Sequence, residues 1–276
     1  MAKENFVFLV GQVRKEPVIK KNEDGKIVSV IFPIMTVRRK ILDEAGNFAP
    51  RWDKPIILTT DPVLLEGASQ IKIHDIVEVK GSIMTRNVKR KLQCPHCGQA
   101  GIYDGMITVI NPVYVGVRKN LDSDAEGTAE IYKIAEISNV AKVVGRVCSP
   151  EITMFNNDEG AIGARYQIAI NRKLFVTGTE PEDHTDYPWV YSYGDVAETD
   201  QQALRQGSLV LLDGYVHTMK FKQNIYCSNP ECGEMFDFPN QSMNITPYSC
   251  EYLENCYLPD PVVRNLNNNE DVEHGD

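Results

Sequence analysis

The chain reads as an all-β protein built from two tandem small barrels, each of five strands and one short helix. An internal repeat gives the first ground. Val10-Gly11-Gln12-Val13 returns as Val144-Gly145-Arg146-Val147, and Gly25, Trp52, Gly81 and Thr85 return as Gly160, Trp189, Gly214 and Thr218. Cys94 and Cys227 each stand 13 residues after the last of these glycines. Offsets of 133–137 residues mark a duplicated domain rather than a solenoid unit. The second ground is that short β-branched runs, separated by turn residues, recur in the same order in both copies.

In the first copy, Phe6 to Val10 has strand composition, and Gly11 suits a bulge or bend. Ile27 to Phe32 follows the Asp24-Gly25 turn signal, which makes the first two strands a hairpin. A polar loop runs from Lys40 to Arg51, and Pro55 to Leu58 is a third strand. Asp61 to Gln70 is the one good helical stretch, with Asp61 as N-cap and Pro62 at the first helical position. Ile76 to Ile83 and Met106 to Val117 are the fourth and fifth strands. Val140–Val147, Gly163–Ile170, Trp189–Tyr193, a helix over Thr199–Gln206, Leu209–Val216 and Gln241–Leu253 take the same places in the second copy. Five strands with a helix between the third and fourth is the order of an OB-fold, a partly open Greek-key barrel. The expected organisation is barrel one over 1–119, an acidic linker over 120–133, barrel two over 134–258 and a disordered acidic tail over 259–276.

Composition narrows the function classes. No apolar stretch of 18 residues exists, so no membrane span is expected. Met1 to Asn5 leads into a strand rather than a signal-peptide core. Seven cysteines, an odd number with pairs at short spacing, point to a reducing cytoplasm and metal ligation rather than a disulfide framework. The net charge of −9 hides an asymmetry. Residues 1–120 hold 19 basic and 12 acidic side chains, leaving 10 and 26 for the remainder, so the copies have diverged in role. The five histidines join no Ser or Cys in a nucleophile arrangement, and Gly-rich phosphate loops are absent, so the protein is read as not an enzyme.

Motif order then carries a family resemblance. Val7-Phe8-Leu9-Val10-Gly11-Gln12-Val13 with Pro17, then Trp52, then Val77-Glu78-Val79-Lys80-Gly81-Ser82-Ile83-Met84-Thr85-Arg86, resembles the bacterial single-stranded-DNA-binding proteins. Arg205 to Thr218 echoes the last of these motifs in copy two. The resemblance implies sequence-tolerant binding of single-stranded DNA, in replication, repair, recombination or mobile-element transfer. It also implies a four-barrel assembly, reached here by a homodimer, and replication proteins as further partners. The chain departs from the family in its two OB-folds, its cysteine pairs, and an acidic C-terminus without the aromatic anchor. An OB-fold accessory module with weak nucleic-acid binding is the alternative.

Single-strand binding needs cations along a backbone track and exposed rings for base stacking. The candidate cations of copy one are Arg38, Arg39 and Lys40 after the second strand, and Arg86, Lys89, Arg90 and Lys91 on the outer hairpin. Phe48 and Trp52 are its candidate rings. Copy two offers Arg172, Lys173, Lys220 and Lys222 with Trp189 and Phe221.

Cys94-Pro95-His96-Cys97 has zinc-knuckle form, and Cys227 to Cys232 is a longer version at the matching hairpin tip. Each pair supplies two ligands where structural zinc takes four. Either Cys94, Cys97, Cys227 and Cys232 meet in one site that joins the barrels, or Cys250 and Cys256 close the second pair's site. The C-x-x-C spacing also occurs in thiol oxidoreductases, which set the first Cys at a helix N-terminus. A strand leads into Cys94 and glycines follow, which argues against that chemistry.

Overall fold

The computed structural model describes residues 4–39, 49–156, 160–172 and 185–257. The first repeat contains β1 (Asn5–Val13), β2 (Val18–Lys21), β3 (Ile27–Val37), β4 (Trp52–Asp53), β5 (Ile56–Thr59), α1 (Pro62–Ser69), β6 (Ile76–Gln93) and β7 (Ala100–Lys119). After α2 (Asp124–Lys133) and α3 (Ala135–Ser138) the second repeat brings β8 (Asn139–Val147), β9 (Thr153–Asn156), β10 (Ile162–Asn171), β11 (Thr185–Asp186), β12 (Trp189–Tyr193), α4 (Asp195–Ala203), β13 (Leu209–Tyr226) and β14 (Met235–Glu254).

The strand pairings form two circuits of the same design. β1 pairs with β3 and β6, β6 with β7, β7 in parallel with β5, and β5 with β3. β8, β10, β12, β14 and β13 repeat those pairings. Alternation buries Val7, Leu9, Phe32 and Ile110 of the first circuit and Val143, Tyr166, Ile168 and Ile245 of the second, in one contiguous core. Gly81 and Gly214 sit at register shifts of their hairpins. A Cβ there would collide with the Asn111 and Thr246 carbonyls, which is why this landmark is glycine twice.

The two circuits share a sheet. β1 and β8 pair antiparallel about Val7 and Ala141, so β7, β6, β1, β8, β13 and β14 run on without a break. Asn5 and Asn139, both buried, each clamp the fourth long strand of their own repeat. Asn5 bonds the Ile83 N–H and carbonyl at 2.8 and 2.9 Å, and Asn139 those of Val216 at 3.0 and 2.9 Å.

Two elements differ from the sequence reading. Residues 124–133 fold as a helix. Ser123 caps it, Asp124 and Glu126 occupy the first turn and Lys133 the last, matching the helix dipole. Its Ile131, with Ala135, packs on Val10, Val37 and Ile76, so the acidic composition concealed an apolar anchor. The second barrel's helix begins at Asp195 rather than Thr199, because burial of Ala197, Asp200 and Ala203 sets its inner face. The fourth and fifth strands of each repeat continue past the strand circuits as hairpin arms, ending at Gln93/Ala100 and at Tyr226/Met235. The expected tail lies outside the described residues.

Candidate nucleic-acid interface and cysteine cluster

The arms are locked at their bases by a reciprocal motif. Arg38 Nε and Nη2 reach the buried Asp53 carboxylate at 2.7 and 3.2 Å. Asp53 also accepts the Thr218 N–H at 2.8 Å, from the base of the other repeat's arm. In the second repeat Arg172 Nε meets Asp186 at 2.7 Å, and Asp186 accepts the Thr85 N–H at 2.7 Å. The Lys54 and Tyr187 amides complete the symmetry by donating to the Thr218 and Thr85 hydroxyls. Arg38 and Arg172 are therefore spent on buried carboxylates: their side chains are 14% and 4% exposed. This corrects their sequence reading as open phosphate contacts. Burial pushes the Asp186 carboxyl upward, against the pull of the Thr85 amide and Arg172. His217 stands against Arg38, and burial together with that charge holds its imidazole down at about 4. Sequence reasoning missed the role of Asp53, Asp186 and the paired threonines. The signal was present, since Arg38, Asp53 and Thr85 recur as Arg172, Asp186 and Thr218 at offsets of 133–134.

The remaining candidate cations are placed differently. Arg86, Lys89, Lys91 and Lys220 are exposed on the arms, with no carboxylate partner among the described residues. Lys222 is also exposed, 3.6 Å from Asp237, and Phe221 beside it is 41% exposed. Arg90 is half-buried over the Phe238 ring at 5.6 Å. Arg39 is exposed, pairs with Glu136 at 3.1 Å and lies over the Tyr248 ring at 5.9 Å. Lys40, Phe48 and Lys173 lie outside the described residues.

The two tryptophans are not counterparts. Trp52 precedes the buried Asp53 and packs half-buried against Val37, Ile76 and Ile131, whereas the matching position before Asp186 is Thr185. Trp189 opens β12, the place of Ile56, and carries Arg165 over its ring at 5.0 Å. Along β12, Val190 and Ser192 face inward while Trp189, Tyr191 and Tyr193 stay half-exposed on the other side. Phe155 meets Tyr191 and Tyr193 edge-on at 5.8 and 5.9 Å. The set extends to Tyr215 and Tyr248, 5.0 Å apart, and Arg38 lies 4.8 Å above the Tyr215 ring.

At the arm tips, Cys94, Cys97, Cys227 and Cys232 come together, their sulfurs all within 4.8 Å of one another. Cys94 to Cys232 is 4.0 Å and Cys97 to Cys227 is 3.7 Å. Four sulfurs at about 2.3 Å from a tetrahedral ion stand about 3.8 Å apart, so the set fits one structural metal. Burial pushes the Cys94 thiol up, but hydrogen bonds from the Cys97 and His96 backbone outweigh it and hold it at about 7. The Asn229 backbone draws Cys227 down, yet burial and the neighbouring sulfurs push it up to about 12. Four thiolates need a cation to coexist here. A small apolar core of Ile225, Phe236, Leu92 and Tyr103 backs the cluster. Of the two closures left open by sequence, the geometry has the first. Cys250 and Cys256 belong to the second barrel, where Cys256 Sγ contacts the Leu209 carbonyl. Cys94 follows directly on β6 and enters a turn, without the helix an oxidoreductase thiol uses.

The chain is mostly β, and its two strand circuits have the OB-like order. Residues 138–228 match the model of the single-strand binding protein family. Among solved structures, the chain is similar to a deletion variant of the single-stranded DNA binding protein from Thermus aquaticus. The two share 12% identity over 93% of this chain and 98% of that one, with a TM-score of 0.59. The wild-type Thermus protein gives 14% identity over 91% and 94%, with a TM-score of 0.57. A Plasmodium falciparum SSB solved with single-stranded DNA shares 21% identity over 43% of this chain and 98% of that one, with a TM-score of 0.34. No curated protein matches the chain by sequence. The resemblance to the single-strand binding family is thus borne out, and the fold is that of the Thermus structures. No helix among the described residues is long and apolar enough to cross a membrane.

Proposed function

We propose that this protein is a tandem OB-fold that covers single-stranded DNA with little sequence preference. Its barrels would span 1–119 and 134–258. The observation that carries this reading is the row of exposed cations on the arms, without a carboxylate partner among the described residues: Arg86, Lys89, Lys91 and Lys220. They supply a backbone track, and the half-exposed Trp189, Tyr191 and Phe221 supply rings for stacking. Arg39, Arg90, Lys222 and an edge of Trp52 would add contacts to the strand, and Lys40, Phe48 and Lys173, outside the described residues, are further candidates by sequence. Zinc held by Cys94, Cys97, Cys227 and Cys232 would join the arm tips and act structurally, in a reducing cytoplasm.

A homodimer would supply four barrels, docking through the outer face of the shared sheet. That face exposes Phe6, Tyr114 and Leu253. The setting would be replication, repair, recombination or mobile-element transfer. Anisotropy titration of a labelled oligo(dT) tests the reading: saturable, salt-sensitive binding is expected, and no binding at low salt contradicts it.

A further inference from the structure

Between the two arms, short of the cysteine tip, lies a crevice of about 170 Å³. Arg90, Leu92, Tyr103 and Asp104 line it from the first arm, Gln223, Asn224 and Ile225 from the second. Arg90 pairs with Tyr103 across the first hairpin and Gln223 with Phe238 across the second. These side chains therefore share the facing surfaces of the arms, and Asp104 and Asn224, next along their strands, complete the lining. The floor is apolar, because Ile225 is buried and Leu92 half-buried.

Two of the polar groups above that floor, on Arg90 and Gln223, are donors. The Arg90 guanidinium rests over the Phe238 ring, with no hydrogen bond or ion pair among the described residues. The Gln223 side-chain oxygen accepts from Asn240 Nδ2 at 2.9 Å, which leaves the Gln223 amino group to donate. An apolar floor disfavours a bare phosphate, which would be desolvated there, and suits a planar ring. Donors above it suit a ring carbonyl, such as thymine O4 or guanine O6; adenine presents an amino group at that edge.

We propose that this crevice receives one unstacked keto base of the bound strand, its carbonyl taken by Arg90 and Gln223. The proposal rests on the single-strand reading above and deepens it. The test is anisotropy titration of the intact protein with labelled oligo(dT) and oligo(dA) of equal length, beside Gln223→Ala and the crevice-filling Gln223→Trp. Both variants should weaken oligo(dT) binding about fivefold or more while oligo(dA) binding stays as in wild type, the scale of one specific base contact. Retained oligo(dA) binding also shows that the variants are folded. An unchanged dT-to-dA ratio in both variants overturns the base site and leaves the single-strand reading standing. Saturable binding of dTMP alone would mark a mononucleotide site and overturn it as well. Failure of wild type to bind either oligonucleotide overturns the single-strand reading itself, and the base site with it.

Discussion

Asp53 and Asp186 each tie an arginine of their own repeat to a threonine of the other. Removing one member of such a buried set leaves an uncompensated charge. Asp186→Ala should therefore lower stability by about 3–5 kcal/mol in urea unfolding. Arg86→Ala, on the exposed arm, should stay within about 0.5 kcal/mol of wild type and instead reduce the salt dependence of DNA binding. Equal effects of the two substitutions would contradict the division between latch and track. His217 adds a pH signature. Its folded pKa of about 4 lies below the ordinary 6.5, so the unfolded chain binds the proton more readily. Stability from this group is full above pH 6.5, falls as the pH drops through the window, and levels off below about 4. His217→Gln should flatten that loss, by on the order of 2–3 kcal/mol between pH 7 and 4. Identical pH–stability curves for the two proteins would refute the assignment. Stacking is a residue-scale matter too: Tyr191→Ala should weaken oligo(dT) binding by about 1–3 kcal/mol.

At the scale of elements, the arms are long two-stranded ribbons, which are marginal on their own. Two devices hold them: the carboxylate latch at the base and the cysteine cluster with its small core at the tip. Cys232→Ser, or a strong chelator, should abolish bound zinc and speed amide exchange over residues 86–106 and 219–239. The barrel strands should exchange as before, because their interiors are separate from the tip core. Zinc content of one per chain in the wild type, measured by elemental analysis, completes this prediction. The β-rich strand order was legible in sequence, since strand runs, turn glycines and the helix cap of Asp61 are local signals. It also marked the tip cysteines as ligands, because spacing is local. Two things escaped it. The helix over residues 124–133 carries Asp124, Glu126 and Glu130 beside one buried large apolar residue, Ile131, whose partners Val10, Val37 and Ile76 come from far along the chain. The fate of Arg38 depends on a carboxylate 15 residues away that strand pairing folds beneath it, so a basic run looked like a surface.

Across the whole molecule, the two repeats form strand circuits that share a sheet through β1 and β8 and are latched together at both arm bases. The repeats differ in what they present. The first carries most of the free cations, on its arm, and the second carries the aromatic stripe Trp189, Tyr191 and Tyr193. The mismatch of Trp52 and Trp189, apparent counterparts in sequence, follows the same divergence: one ring faces the linker helix, the other stands beside Arg165 on an open strand. The most direct test of single-strand binding is titration of the intact protein with labelled oligo(dT) at two salt concentrations. The expected result is saturable binding that weakens with a log–log slope of several units, about 0.7 for each phosphate contacted. Absence of binding at low salt, or binding indifferent to salt, would contradict it.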